Sequence, residues 1–208
     1  MKAHTRETQA TLTPQKALQF LQEGNERFQQ NLKANRNLLE QVNDTSDGQF
    51  PFATILSCID SRVSAELVFD QGLGDIFSIR IAGNFINEDI LGSMEFACKL
   101  AGTKLIVVLG HTSCGAIKGA CDHARLGNLT ALINKIEPAV DAVTEPTDES
   151  LRNSRNSDFV DSVAVKNVEM AIANIRKLSP VLVEQENNGE IKIVGGMYDI
   201  SNGKVTFL

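Results

Sequence analysis

Apolar positions along the chain fall into two kinds of run. Phe52–Ser57, Ile76–Ile81 and Lys104–Leu109 are short, mostly apolar and bounded by turn formers such as Pro51 and Gly72-Leu73-Gly74. Runs of that length predict strands, and runs without polar interruption predict strands buried on both faces. Elsewhere the apolar positions recur every three or four residues. Leu18, Leu21, Phe28 and Leu32, with Asn25 between them, form a stripe behind Thr13-Pro14, the signature of an N-cap followed by proline in the first turn. Further helices are predicted over Ser64–Gln71, Ile90–Leu100, Gly115–Arg125, Asn128–Val143 and Asp161–Leu178. The last carries Val165, Val168, Ile172 and Ile175 and stops before Pro180. Ile191–Val194 and Val205–Phe207 read as strands, the second following an Asn202-Gly203 turn. Residues 1–12 are polar and predict a loosely ordered start, while 41–48 read as a linker and 145–150 as an acidic loop. Strands alternating with helices predict an α/β fold with a largely parallel central sheet flanked by helices, an N-terminal helical arm and a C-terminal hairpin.

Two of the predicted strands lead directly into reactive side chains. Cys58-Ile59-Asp60-Ser61-Arg62 follows the first, and Gly110-His111-Thr112-Ser113-Cys114-Gly115 follows the third. Open α/β sheets hold their sites at the carboxyl ends of strands. Cys58 and Asp60 are two apart and point the same way in extended backbone, and His111 and Cys114 can converge across a strand-to-helix turn. Together they offer two thiolates, an imidazole and a carboxylate, a donor set suited to tetrahedral zinc. Taken singly, a buried cysteine is usually a small hydrophobe, and the chain has no C-x2-C knuckle of a structural zinc site. Two Cys and one His leave a fourth position that Asp60 either fills or leaves open.

Composition narrows the choice. The chain has 208 residues, enough to bury roughly 70% of its unfolded surface. Twenty basic residues against 26 acidic ones give a net charge of −6 with no basic cluster, which argues against nucleic acid or an anionic membrane as partner. Four cysteines suit a reducing compartment or a metal site better than a disulfide framework. Met1–Gln15 lacks an apolar signal core, and no run approaches the ~18 residues of a membrane span, so the expected location is cytoplasmic. The Gly72-Leu73-Gly74 pair precedes a strand, which excludes a dinucleotide loop. Cys98 and Cys121 read as core fillers, and His4 and His123 are the remaining histidines available as proton carriers.

The chain resembles the β-class carbonic anhydrases, whose signature is C-x-D-x-R followed some fifty residues later by H-x-x-C, here Cys58, Asp60, Arg62 and then His111, Cys114. The likeness runs through Gly72–Asn84 and Gly195-Gly196-Met197-Tyr198-Asp199, and covers about Gln49 to the C-terminus. It implies one Zn2+ per chain held by Cys58, His111 and Cys114, with Asp60 and Arg62 as a catalytic pair and Asp60 as an occasional fourth ligand. The implied reaction is reversible hydration of CO2 to bicarbonate and a proton by zinc-bound hydroxide. The resemblance places Gln49, Phe77, Phe96 and Gly115 around the substrate, Phe96 standing where the family often has tyrosine. It also divides the chain into residues 1–48, an arm and linker gripping a second subunit, and residues 49–208, the α/β zinc-binding catalytic domain. A homodimer or dimer-based tetramer follows.

A +2 ion with two thiolates and a neutral imidazole is formally neutral, so its water should be less acidic than at a three-histidine zinc, whose water titrates near ~7. Asp60 oriented by Arg62 would then supply a useful acceptor. In family members regulated by bicarbonate a tryptophan lies three residues before the first ligand cysteine; here that residue is Ile55, and the chain has no Trp, although Arg80 matches the arginine of that pocket. An open resting site is therefore expected. Two other activities fit the same residues: a zinc hydrolase of carbonyl sulfide or carbon disulfide, and a zinc-binding protein without catalysis.

Overall fold

A computed structural model describes residues 2–208. Its centre is a five-stranded sheet of β1 (Ala53–Ser57), β2 (Ile76–Arg80), β3 (Leu105–His111), β4 (Lys192–Tyr198) and β5 (Val205–Phe207), in the order β2-β1-β3-β4-β5. The first four strands are parallel, and only β5 runs antiparallel, paired with β4 across the Asn202-Gly203 turn. Because the chain moves from β1 to one side and then returns to the other, the order reverses between β1 and β3. A crevice opens there at the carboxyl ends of both strands.

The runs at β1 and β3 are strands with both faces covered, whereas β2 is a partly exposed edge. Ile55, Leu105, Val107 and Leu109 point into one layer with Phe52, Leu21 and Phe69, whereas Leu56, Ile106 and Val108 point into the other with Met94, Val168, Ile175 and Leu182. This is the two-residue alternation of extended backbone. Helices α1 (Arg6–Ala10), α2 (Pro14–Gln29), α3 (Leu38–Asp44) and α4 (Ala65–Val68) precede β2. α5 (Glu88–Glu95) leads through a π-helical turn at Phe96–Leu100 into β3, and α6 (Gly115–Cys121), α7 (Gly127–Ile133), α8 (Glu137–Ala142), α9 (Ser157–Leu178) and α10 (Pro180–Asn187) lie between β3 and β4.

Several elements depart from the sequence expectations. The start of the chain is ordered rather than loose: Thr5 and Thr8 form a capping box, and the buried Gln9 donates to the carbonyls of Pro51 (2.7 Å) and Ala101 (2.8 Å). A polar side chain that satisfies distant carbonyls leaves no trace in hydropathy. The helix predicted over Asn128–Val143 is two helices, α7 and α8, and Pro138 sits in the first turn of the second. Pro180 does end α9, but it also opens α10, with Ser179 as N-cap. That is the same Ser/Thr-Pro signal already read at Thr13-Pro14.

The part of the stripe that lies on α2 is covered by its own chain, whereas Leu32 falls beyond the helix and is exposed. Ala17, Leu18 and Leu21 share a core with Phe52 and Ile55, and Asn25 donates to the carbonyls of Val68 (3.0 Å) and Gly203 (2.9 Å) while accepting from the Val205 N–H (2.8 Å). Helix α2 therefore packs directly on the sheet and its neighbouring turns. Among the described residues no helix is long and apolar enough to cross a membrane.

Candidate metal centre

The reversal of strand order brings three side chains to one point. Cys58 is the first residue after β1, His111 ends β3, and Cys114 is the N-cap of α6. Their ligand atoms lie within 4.8 Å of one another, and all three residues are buried. Between the two β3-derived residues, Ser113 takes a left-handed conformation (φ 54°), which turns the chain sharply enough for His111 and Cys114 to face inward together.

The donor set fits zinc on three counts. The two sulfurs are 3.8 Å apart, and two thiolates at bond lengths of about 2.3 Å around a tetrahedral ion would stand about 3.8 Å apart. His111 Nδ1 is 2.9 Å from the Thr112 carbonyl, which can only accept, so the proton sits on Nδ1 and the lone pair on Nε2. That Nε2 is buried and has no hydrogen-bond partner in the protein. A buried imidazole oriented by a carbonyl with its second nitrogen left over is the usual arrangement of a metal-ligating histidine.

The sulfurs also need a cation. The hydrogen bond from Cys114 holds the Cys58 thiol well below its ordinary range, helped against burial by His111 and by the N–H groups of Gly83 and Asp60. The same contact, then burial, pushes Cys114 far up, although the N–H groups of Ile117 and Ala116 oppose this. Two thiolates this close repel, so the pair alone keeps a proton, and a dication is what releases it. Cys98 and Cys121 behave as fillers; burial pushes each thiol up to about 11.

Asp60 is turned to Arg62. Oδ1 accepts from Arg62 Nε and from the Arg62 backbone N–H, both at 2.9 Å, and Oδ2 accepts from Nη2 at 2.7 Å. These bonds, led by those from the Arg62 side chain, hold the Asp60 carboxyl well below the usual carboxylate range. Arg80 holds the same loop from the other side, donating from Nε to the Cys58 carbonyl (3.0 Å) and from Nη2 to the Asp60 carbonyl (2.7 Å).

The other expected site residues lie elsewhere in this chain, apart from Gly115, which is exposed in the first turn of α6 beside Cys114. Phe77 pairs with Thr54, four residues before Cys58 and about 13 Å away along the strand. It packs against Phe96 with ring centroids 6.3 Å apart, lining an open groove on the β2 edge with Ile79, Glu88 and Gly92. Gln49 is exposed before β1, at the opposite end of the sheet from the cluster, beside Val42, Thr45 and Leu73. His123 is bonded to Glu137 (3.0 Å), and His4 is wedged between Phe20 and Phe52. Sequence reading did not single out three contributors to the loops around the cluster. Arg80 stands in the sequence only as a match to another pocket, and Asp161 and Asn167 are polar positions of α9, a helix recognised by its apolar period alone. Asp161 accepts from the Ser113 N–H (2.8 Å), and Asn167 donates to the Gly83 carbonyl (2.8 Å).

Comparison with known proteins agrees with this geometry. The carbonic anhydrase family model matches residues 53–205. Carbonic anhydrase 2 of Mycobacterium tuberculosis is 35% identical, the match covering 92% of this chain and 91% of that one. Among solved structures, the β-carbonic anhydrase CcaA superposes with a TM-score of 0.72 at 27% identity, covering 91% of this chain and 94% of that one. A tetrameric β-carbonic anhydrase of Sordaria macrospora does so with a TM-score of 0.68 at 22% identity, covering 81% and 89%, a likeness of fold.

Proposed function

The chain belongs to the β-class of carbonic anhydrases, zinc enzymes that interconvert CO2 and bicarbonate, and we propose that it works with Asp60 locked to Arg62 and the fourth zinc position left to water. Cys58, His111 and Cys114 are the residues that hold the ion. When bound, zinc supplies Lewis acidity, which makes water nucleophilic near neutral pH.

The observation that carries the open arrangement is the hold of Arg62 on both oxygens of Asp60. An ionised carboxylate has about four acceptor sites. Three are taken by Arg62, leaving one on Oδ2. That site can accept from the reacting water and fix its orientation toward CO2. Because Arg62 keeps the carboxyl so acidic, Asp60 orients the proton and does not retain it; the proton passes to solvent or buffer. Arg80 fixes the backbone from which Cys58 and Asp60 both project.

Gln49, Phe77 and Phe96 are assigned to substrate enclosure through a second copy of the chain, since none of them reaches the cluster of its own chain. The exposed apolar residues Leu38, Leu39 and Val42 of α3, together with the Phe77–Phe96 groove, support such a homodimer, alone or doubled into a tetramer. The covered α2 stripe leaves α3 as the gripping part of the arm. Four free cysteines, two of them in the centre, support a reducing compartment such as the cytoplasm.

The test is stopped-flow CO2 hydration on metal-verified protein over pH ~6.5 to 9, a range that brackets a zinc-water pKa somewhat above 7. Rapid hydration that falls at the acid end no more steeply than one zinc-water titration requires, about tenfold per pH unit, supports the locked Asp60. A collapse steeper than that single titration refutes the lock in favour of Asp60 closing on the metal. Absence of hydration with one zinc per chain would leave hydrolysis of carbonyl sulfide or carbon disulfide, or a non-catalytic role.

A further inference from the structure

Helix α9 meets the centre at two places, and both contacts fall on backbone that shapes the ligands. At the first, Asp161 accepts the N–H of Ser113 at 2.8 Å. Ser113 is the residue whose left-handed φ of 54° closes the turn between His111 and Cys114. L-residues other than Asn and Asp avoid that conformation, so it persists only where something holds it. A carboxylate accepting from a backbone N–H is a strong, charge-assisted restraint. At the second, Asn167, which is buried (4% exposed), donates from Nδ2 to the carbonyl of Gly83 at 2.8 Å. The N–H of the same Gly83 points at Cys58 Sγ, 3.4 Å away. One side chain of α9 thus fixes the turn that presents His111 and Cys114, and another fixes the peptide that addresses the thiolate of Cys58.

We propose that Asp161 and Asn167 are positioning residues for the metal centre, so that α9 sets the geometry of all three ligands from outside the ligand shell. The inference rests on the zinc reading of Cys58, His111 and Cys114. Loss of either contact leaves the ligands in place but lets them wander. An acceptor oxygen at Asp161 and the amide of Asn167 are needed at those positions in a way that packing alone would not require.

The test is zinc affinity by competition with a chromophoric chelator, alongside the thiolate-to-metal charge-transfer band of the cobalt-substituted enzyme. Asp161→Ala and Asn167→Ala should each weaken zinc binding by about 10- to 100-fold, the usual cost of an outer-shell partner, and should shift the cobalt band. Asp161→Asn, whose amide oxygen can accept the same N–H, should stay close to the parent. Adding Ser113→Gly to Asp161→Ala should recover part of the loss, because glycine adopts the left-handed turn without a restraint. Either alanine variant, folded and with parental affinity and spectrum, overturns the proposal. So does a double variant no better than Asp161→Ala, and so does failure of both alanine variants to fold with zinc present, which would make these residues props of the fold. A parent that binds no zinc would instead overturn the reading of the centre, and this inference with it.

Discussion

Gly83 is where the demands of backbone, packing and metal site coincide, and replacing it with alanine tests all three. Its φ is +77°, in the region that costs an L-residue about 1–2 kcal/mol. A Cβ built there would stand 2.4 Å from Ile136 Cδ1 and 3.3 Å from the Cβ of Ala116. The first contact is a clash with the movable end of a buried side chain, so it is relieved by repacking at the ordinary overpacking cost of about 1–3 kcal/mol. Together Gly83→Ala should lose about 2–5 kcal/mol, which for a chain of this size is a fall in Tm of roughly 4–20 °C. Gly92 on α5 is the matched control. It has a helical backbone, and nothing lies within 4 Å of its added Cβ, so Gly92→Ala should gain about 0.5–1 kcal/mol from helix propensity and raise Tm by roughly 1–4 °C. Thermal melts followed by far-UV circular dichroism at fixed zinc and protein concentration give both values. A Gly83→Ala drop below 2 °C, or two shifts of the same sign, would refute the reasoning.

Arg62→Ala should keep its zinc while CO2 hydration falls by about 10- to 100-fold, since the ligands are untouched and the acceptor loses its orientation; stopped-flow assays on metal-verified protein decide it, and normal turnover would sink the Asp60–Arg62 pairing. The folded pKa of Asp60 is lowered, so its contribution to stability is complete above the unfolded carboxylate value near ~3.9 and is withdrawn only as pH falls through the lower folded one. The Tm difference between parent and Arg62→Ala should accordingly stay flat from pH ~8 to ~5 and narrow below ~4, whereas a difference that grows on acidification contradicts the sign. Gln9→Ala strips the carbonyls of Pro51 and Ala101 of their shared donor and should cost about 2–4 kcal/mol, a Tm loss of roughly 4–16 °C by calorimetry, while an unchanged Tm would mean the first helix is not anchored there. Arg80 is engaged by the Cys58 and Asp60 carbonyls, so bicarbonate should inhibit hydration hyperbolically, as a product does; sigmoidal inhibition curves would show a second anion site.

Much of this fold is legible in the sequence because the strongest patterns are short in range. β1 and β3 are mostly apolar runs whose alternate residues are buried in opposite layers. α2 announces itself through Thr13, Pro14 and a stripe. What stays hidden is set by partners distant in the chain. Gln9 orders the first helix through carbonyls 42 and 92 residues away, which neither propensity nor periodicity records. α10 is a different case: Ser179-Pro180 is as clear a start as Thr13-Pro14, but a proline that ends one helix masks its second role of opening the next. The apolar stripe of α2 shows the limit of hydropathy from the other side. It reports that a face is covered and cannot say whether the cover is the chain's own sheet, as it is here, or a neighbour.

The ligands of the centre were readable for a related reason. Cys58 and His111 sit at the ends of adjacent strands that pair in register, Ser57 opposite Leu109, so predicting two parallel strands from hydropathy already brings the ends together. Asp60 and Arg62 are two apart, and their contact is local. The frame around the ligands is different in kind. Ser113 and Asp161 are 48 residues apart, and Asn167 and Gly83 are 84 apart. Both polar residues sit in a helix whose 3.6-residue period speaks only for its apolar face. Asp161 is half-buried and Asn167 buried, so a reading that assigns polar helix positions to solvent discards them. Burial of an amide must be matched by a bond, and here that bond ends on the peptide whose N–H faces a ligand sulfur. The ligands identify the metal through chemical type and spacing, whereas the residues that set their angles become visible only once the polar atoms of the core are each followed to a partner.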